Sequence, residues 1–461
     1  MAGNVEDFVN NVRNLTAQGH FSQLCDYMNK SWQVLFKNMC HLDTALEALD
    51  LQEHSLGMLY ILYVKVSMLT SSNASAEEFE QLFFQYQLFV TQCISSQVQY
   101  STGNFTQMCH IITQELCKRK MAIRGIRSLC IAISKVQTEP SQLTSLHSDL
   151  CQLCLDSKCF KPAFPYITVE ISDIAKENGW YECKHFLSYY YYSGMIFAAL
   201  KQYGRALYCF EQAVSCPATV VSHIMVEAYK KYILVRLIVE GEFLSLPKYT
   251  SQVITRFVKL FTVEYNELVQ AFYTNDPSKI NAVVESHTAV FASDKNLGLI
   301  KQVVASMQKR NIQRLTKTFL TLSLSDVAAR TFLQGPEEAE LHLRQMIEDG
   351  EIIAYIDQES HMVSFYDDSE KYNTASMFKE IDKQIQNVTE LDRKIANLDQ
   401  NIQVNPMYVQ KVKTISTQDE DFDGGLLSTS SSSTSTSSQP LSMLSSTSSR
   451  SFNMLSKLMF K

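Results

Sequence analysis

The sequence predicts a mainly α protein: stacked helical hairpins, then a small mixed domain, then one long solitary helix. Three observations predict it. Turn and strand punctuators are scarce, with 14 glycines and 9 prolines in 461 residues, below average usage, which favours long helices with few breaks. Apolar residues recur at three- and four-residue spacings from Val5 to about Val263, where a half-buried strand would alternate. A β-rich stretch appears only late, between Glu351 and Tyr366. With 46% hydrophobic residues the chain can bury the cores of two or three domains, and collagenous, all-β and wholly disordered classes are excluded.

Charge narrows the function classes. Against 41 basic residues stand 48 acidic ones, a net charge of −7, so no broad polybasic surface exists for nucleic acid or membrane. Twelve cysteines in a chain of this length do not make a disulfide scaffold; an intracellular protein with reduced, mostly buried thiols is expected. Met1 to Asn14 is polar and mixed in charge, unlike a signal sequence. The most apolar run, Leu56 to Leu69, contains Lys65 and falls short of the ~20 residues of a membrane span. A soluble protein without a membrane partner is expected.

The helical part comes first. Val34, Leu35, Met39, Leu42, Leu46 and Leu49 draw one apolar stripe, and Leu82, Phe83, Tyr86, Phe89 and Val90 another. Short polar links at Thr70 to Ala76 and Ser101 to Asn104 suggest hairpins of such helices. One hairpin carries a repeat signature: Tyr190, Gly194, Phe197, Ala206, Phe210, Ala213 and Pro217 stand at the spacing of a tetratricopeptide unit. Gly194 and Ala206 let two helices approach, and Phe210 fills the groove between them. A single unit cannot bury its own face, so neighbours must stack on it. The other repeats are degenerate, which makes the prediction a TPR-like, irregular helical-repeat solenoid. An ordinary helical hairpin in a bundle is the plainer alternative.

After Asn311 the pattern changes. Asn311 to Leu322 reads as helix, and Ser323 or Ser325 as the N-cap of a second helix running to Leu333. Gly335-Pro336 starts a third helix, with Glu337 and Glu338 at its positive dipole end, Leu341, Leu343, Met346 and Ile347 as its apolar residues, and Gly350 as its stop. Two strands follow, Glu351 to Asp357 and Met362 to Tyr366, across the turn Gln358 to His361. Three helices and a β-hairpin in this order make a winged helix.

One more helix follows. Phe378, Ile381, Ile385, Val388, Leu391, Ile395, Leu398 and Ile402 are spaced 3, 4, 3, 3, 4, 3 and 4, a narrow seam of the coiled-coil or bundle type. Such a seam needs another helix to pack on, in a neighbouring chain or in this chain's own solenoid. Beyond it, acidic Asp419 to Asp423, Gly424-Gly425 and the Ser/Thr tract Ser428 to Ser451 hold too little apolar surface to order, so a disordered tail is expected. Phe452, Leu455, Leu458 and Met459 end it as a weakly amphipathic segment.

No catalytic motif is present. The sequence has no GxxxxGK[ST] or GxGxxG phosphate cradle, no HExxH, no GxSxG, and no HxH of the kind a zinc isopeptidase uses. Cys151, Cys154 and Cys159 are the best metal candidates, but a structural zinc needs four ligands, and Leu150, Leu153 and Leu155 around them favour core thiols. His147, His185, His223, His287 and His342 stand outside any local motif with a nucleophile. No catalytic residue, metal ligand or cofactor is assigned. The third winged-helix element should be the reader of a DNA groove, yet it holds Glu337, Glu338, Glu340, Glu348 and Asp349 against Arg344, so no nucleic-acid partner is expected. Lys301, Lys309, Arg310, Arg314 and Lys317 just upstream read as a solvated or subunit-contacting face.

A solenoid running into a winged helix and a bundling helix resembles the PCI family, the shared module of the proteasome lid, the COP9 signalosome and an initiation-factor scaffold. The segments Leu42 to Gly57, Gln142 to Ile167, Lys184 to Ile196, Ser222 to Val235, Leu246 to Val253 and Asn311 to Leu324 resemble its signalosome branch, a likeness running from about Val5 to Val412. The resemblance implies helical repeats over 1–199, a PCI domain over 200–370 with its winged helix at about 311–366, a bundling helix over 374–404 and a tail over 405–461. It implies a non-catalytic scaffold of a complex that deneddylates cullin-RING ligases, in cytoplasm and nucleus, with the zinc site in a different subunit. Partners would be other signalosome subunits, met through the helix seam and through the winged-helix strands at Ile353, Tyr355, Val363 and Phe365, and cullin-RING ligases met through the complex. The alternative is a PCI adaptor of another complex.

Overall fold

The computed structural model describes residues 3–69, 75–242, 246–366 and 374–411. The acidic stretch, the Ser/Thr tract and the terminal segment lie outside them, as does 70–74 of the Thr70 to Ala76 link. The protein is mainly α, and two compact units part between Arg314 and Leu315.

The first unit begins with α1 (Gly3–Ala17), α2 (Phe21–Lys37), α3 (Leu42–Glu47), α4 (Ser55–Leu69) and α5 (Ala76–Gln92). A capping box starts α5, in which Ser75 and Glu78 satisfy each other's backbone N–H groups. The stripe from Val34 to Leu49 is real but broken, because the chain leaves α2 at Lys37 and passes through a 3-10 turn before α3. Next come α6 (Ser95–Val98), α7 (Thr102–Lys118), α8 (Ala122–Val136), β1 (Gln142–Leu143), α9 (Ser145–Asp156), α10 (Phe164–Ile167) and β2 (Asp173–Ile174). The polar Ser101 to Asn104 segment is not a link, since α7 starts at Thr102 and the exposed turn lies earlier. β1 and β2 form a two-residue parallel pair, too short for any periodicity to announce.

α11 (Cys183–Ala199) and α12 (Tyr203–Ser215) form the hairpin with the tetratricopeptide signature, and α9 and α13 (His223–Val239) pack against it on either side. Phe197, Ala206, Phe210 and Ala213 are all fully buried. A Cβ on Gly194 would lie 2.6 Å from the Phe210 ring, so the small residue is what lets the ring lie under α11. α14 (Gln252–Phe257), α15 (Val263–Tyr273), α16 (Pro277–Ser286), α17 (Thr288–Ser293) and α18 (Leu297–Thr318) complete the series. A buried polar cluster ties α13 to α15: Lys230 lies 2.9 Å from Asp294, and Tyr265 donates to Asp294 while accepting from Asn296, both at 2.8 Å. Arg310 does not join a solvated basic face, because its guanidinium donates to the carbonyls of Ile238 and Val239 at the C-terminal end of α13.

In the second unit, β3 (Thr321–Ser323), α19 (Leu324–Thr331), α20 (Pro336–Glu348), β4 (Ile353–Asp357) and β5 (Met362–Tyr366) make a winged helix with its own core. Ser323 caps α19 by accepting from the Asp326 N–H at 3.1 Å. The expected helix from Asn311 to Leu322 ends sooner, at Thr318, because Thr321 to Ser323 pair with β5 instead. In α20 the buried positions are Ala339, Leu343 and Met346, whereas Leu341 is exposed, being two residues and roughly 200° round the helix from Ala339. Further along the chain comes α21 (Ala375–Val404).

Gly194→Val should cost about 1–3 kcal/mol by overpacking against an immobile ring. Gly204, near the start of α12, has open space at its Cβ position, so Gly204→Ala should be neutral or slightly stabilising. Denaturant titrations of the two variants side by side check this contrast.

Candidate assembly surfaces

α21 is a helix of 30 residues with none of them buried. Thr374 caps its start, accepting from the Met377 N–H at 3.3 Å. Side-chain pairs one turn apart run along it: Asp382 with Gln386 at 3.0 Å, Glu390 with Lys394 at 3.1 Å, and Asp399 with Gln403 at 2.7 Å. Each contributes only ~0.2–0.5 kcal/mol. Length and local pairs therefore hold the helix in place of a buried face. Phe378, Ile381, Ile385, Val388, Leu391, Ile395 and Leu398 are all exposed, Phe378 at 74% and Ile381, the least so, at 48%, while Ile402 is partly buried. The seam is thus drawn out as one continuous apolar line, about 36 Å long at 1.5 Å per residue.

The sheet divides the four strand residues into two pairs. Its order is β3–β5–β4, so β5 is central and β4 is an edge. Val363 and Phe365 lie on the inner face of β5 and are buried in the unit's own core, opposite Ile356 and Ala354. Their side chains are therefore not on the unit's surface, unlike the expected interface positions, because a central strand is paired on both edges and packs one face on the core. Ile353 and Tyr355 on β4 point outward and are 46% and 64% exposed. Tyr366 stands beside Ile353 in register and is 60% exposed, an apolar member of this outer face that the strand pattern did not single out.

Several histidines of the first unit have polar partners. His110 Nδ1 lies 3.0 Å from Asp149, and His110 Nε2 lies 2.8 Å from the Gln114 amide. Both ring nitrogens are engaged, so neither is turned toward a nucleophile. The hydrogen bond to Asp149 holds the His110 pKa above the ordinary histidine value. His110 and Asp149 are 39 residues apart, and sequence spacing carried no sign of the pair. His185 stacks edge-on against His110, with ring centres 5.8 Å apart, and burial pushes its pKa down. His147 is buried and caps α9, its Nδ1 accepting from the Thr144 N–H at 3.1 Å; burial pushes its pKa down to about 4. His287 pairs with Glu267 at 2.8 Å. Cys151 and Cys154 are buried thiols, and burial pushes Cys154 up to about 12. Among the described residues no cluster of three or more His, Cys, Asp or Glu is arranged to hold a metal, and no helix is long and apolar enough to cross a membrane.

Residues 18–254 match the family described as COP9 signalosome complex subunit 3, N-terminal helical repeats, and residues 284–367 match the PCI domain. A Drosophila melanogaster protein named COP9 signalosome complex subunit 3 is 40% identical over 439 residues, 92% of this chain and 97% of the relative. An Arabidopsis thaliana protein of the same name is 37% identical over 370 residues, 80% of this chain and 84% of the relative.

His147 gives the helical unit a pH signature. The unfolded chain takes up this proton below about pH 6.5, and the folded chain only near pH 4, so stability falls as pH drops through that window, by roughly 3 kcal/mol in total. His110, whose pKa is raised, keeps its contribution there and loses it at higher pH. His147→Gln preserves an N3 side chain able to cap Thr144 and should flatten the acid limb of melting temperature against pH; an unchanged limb would count against the buried neutral ring.

Proposed function

The chain belongs to the COP9 signalosome subunit 3 family, and from that premise we propose that it acts as a non-catalytic scaffold within a signalosome. It joins the other subunits through α21 and through the outer face and edge of β4. Through the assembled complex it contributes to deneddylation of cullin-RING ligases, in cytoplasm and nucleus, while another subunit supplies the hydrolytic chemistry. The observation that carries this reading is the apolar seam of α21, a full helix long with no buried residue.

Burial of seven such side chains at about 1.5 kcal/mol each gives roughly 10 kcal/mol before ordering costs, enough to hold a bundle together. The β4 edge adds unpaired backbone groups and Ile353 and Tyr355 beside them, a device suited to extending a neighbour's sheet. Two features support a role without catalysis: the sequence has no HxH motif, and the ring nitrogens of His110 are taken up by Asp149 and Gln114. The acidic α20, with Glu337 and Glu338 in its first turn, supports a protein partner over nucleic acid.

Affinity purification of the full chain beside a truncation ending at Thr374 tests the reading. The truncation should remain folded yet lose most co-purifying subunits. In the full chain, Ile385→Asp with Leu391→Asp should reduce recovery roughly tenfold or more, because a charge in the bundle is left without a partner. Equal recovery from all three would overturn the assignment of α21 as the assembly device.

A further inference from the structure

Cys183 is the first residue of α11, and Cys216 follows the last residue of α12. The two thiols therefore meet at the open end of the hairpin, away from its 200–202 loop. Their sulfurs lie 3.7 Å apart although the residues are 33 positions apart in the chain. Cys216 is buried and Cys183 only partly so, which makes Cys183 the more accessible residue of the two.

The two sites are not equivalent. Either sulfur can donate in the hydrogen bond between them, and with Cys216 as donor it favours the thiolate on Cys183 and the protonated thiol on Cys216. The positive dipole end at the start of the 17-residue α11 acts in the same direction. The pair thus has a nucleophilic, reachable sulfur and a resolving sulfur in contact with it.

We propose that Cys183 and Cys216 are a peroxide-oxidisable thiol pair that closes a reversible disulfide across the open end of the α11–α12 hairpin. The Cys183 thiolate attacks one oxygen of hydrogen peroxide; the O–O bond breaks, an S–O bond forms, and the departing hydroxide takes a proton to become water. Cys183 is then a sulfenic acid, oxidised by two electrons while the peroxide is reduced. The Cys216 sulfur gives up its proton and attacks the Cys183 sulfur; the S–S bond forms, the S–O bond breaks, and a second water leaves. A dithiol reductant restores both thiols by exchange. The sulfurs must close to the about 2 Å of a disulfide, and Cys216 is free to adjust because it lies beyond the end of its helix. Once formed, the link holds both ends of the tetratricopeptide-like unit together and braces the point where its neighbours stack.

The test uses the full chain carrying Cys40→Ser, which removes its exposed thiol. The protein is treated with hydrogen peroxide, quenched with an alkylating agent and mapped by mass spectrometry without reduction. The expected result is a Cys183–Cys216 linked peptide pair as the dominant linkage, lost on dithiothreitol treatment, together with a reductant-sensitive rise in melting temperature. Cys216→Ser should instead leave Cys183 as a sulfenic acid that dimedone traps, and Cys183→Ser should leave Cys216 unoxidised. Both cysteines alkylated separately after peroxide, or either joined mainly to a different cysteine, would overturn the proposal, and the mapping of Cys40→Ser decides this even if the further variants fold poorly.

Discussion

A helix in water is held chiefly by hiding an apolar stripe, and α21 has a stripe with nothing buried along it. Local devices sustain it: the Thr374 cap and the charged and amide pairs one turn apart. These add tenths of a kilocalorie each, while the covered seam would add an order of magnitude more. In the proposed scaffold, another helix completes that surface. The proposed scaffold reading hangs from that constraint.

The helical unit has an extensive apolar core of its own. In the helical unit, Gly194 and Ala206 bring α11 and α12 together over Phe210, and flanking helices continue the same core. Several polar groups inside are paired: Lys230 with Asp294, Glu177 with the Ser145 N–H and hydroxyl, and His110 with Asp149. Each pairing fixes one helix against another where apolar packing alone would leave register free. The same close approach at the hairpin's open end places two thiols in contact, so a packing requirement also sets up a chemical one.

Much of this was legible in the sequence, for physical reasons that can be named. The α11–α12 unit was readable because a small residue facing a large ring is forced by sterics. The start of α20 was readable from Gly335-Pro336 and two glutamates, and the seam of α21 from an uninterrupted 3–4 spacing. Short or long-range features were not. β3 has three residues and owes its form to pairing with β5, some forty residues on. Val363 and Phe365 looked like edge residues because alternation marks a strand without revealing whether the strand is central. The His110–Asp149 and Cys183–Cys216 pairs join residues on different elements, and only the packing of those elements brings them together. Tyr366 belongs to the outer sheet face by register with Ile353, which depends on the turn between β4 and β5.

Backbone hydrogen exchange across 375–404, compared between the isolated chain and the chain within its purified complex, bears most directly on what covers the last helix. Amides of that segment should exchange fast when the protein is free, because local pairs are weak protection, and slow by orders of magnitude once subunits assemble. Equal exchange in both states would show that the seam meets no partner, and the assignment of this chain as an assembly scaffold through that helix would fall.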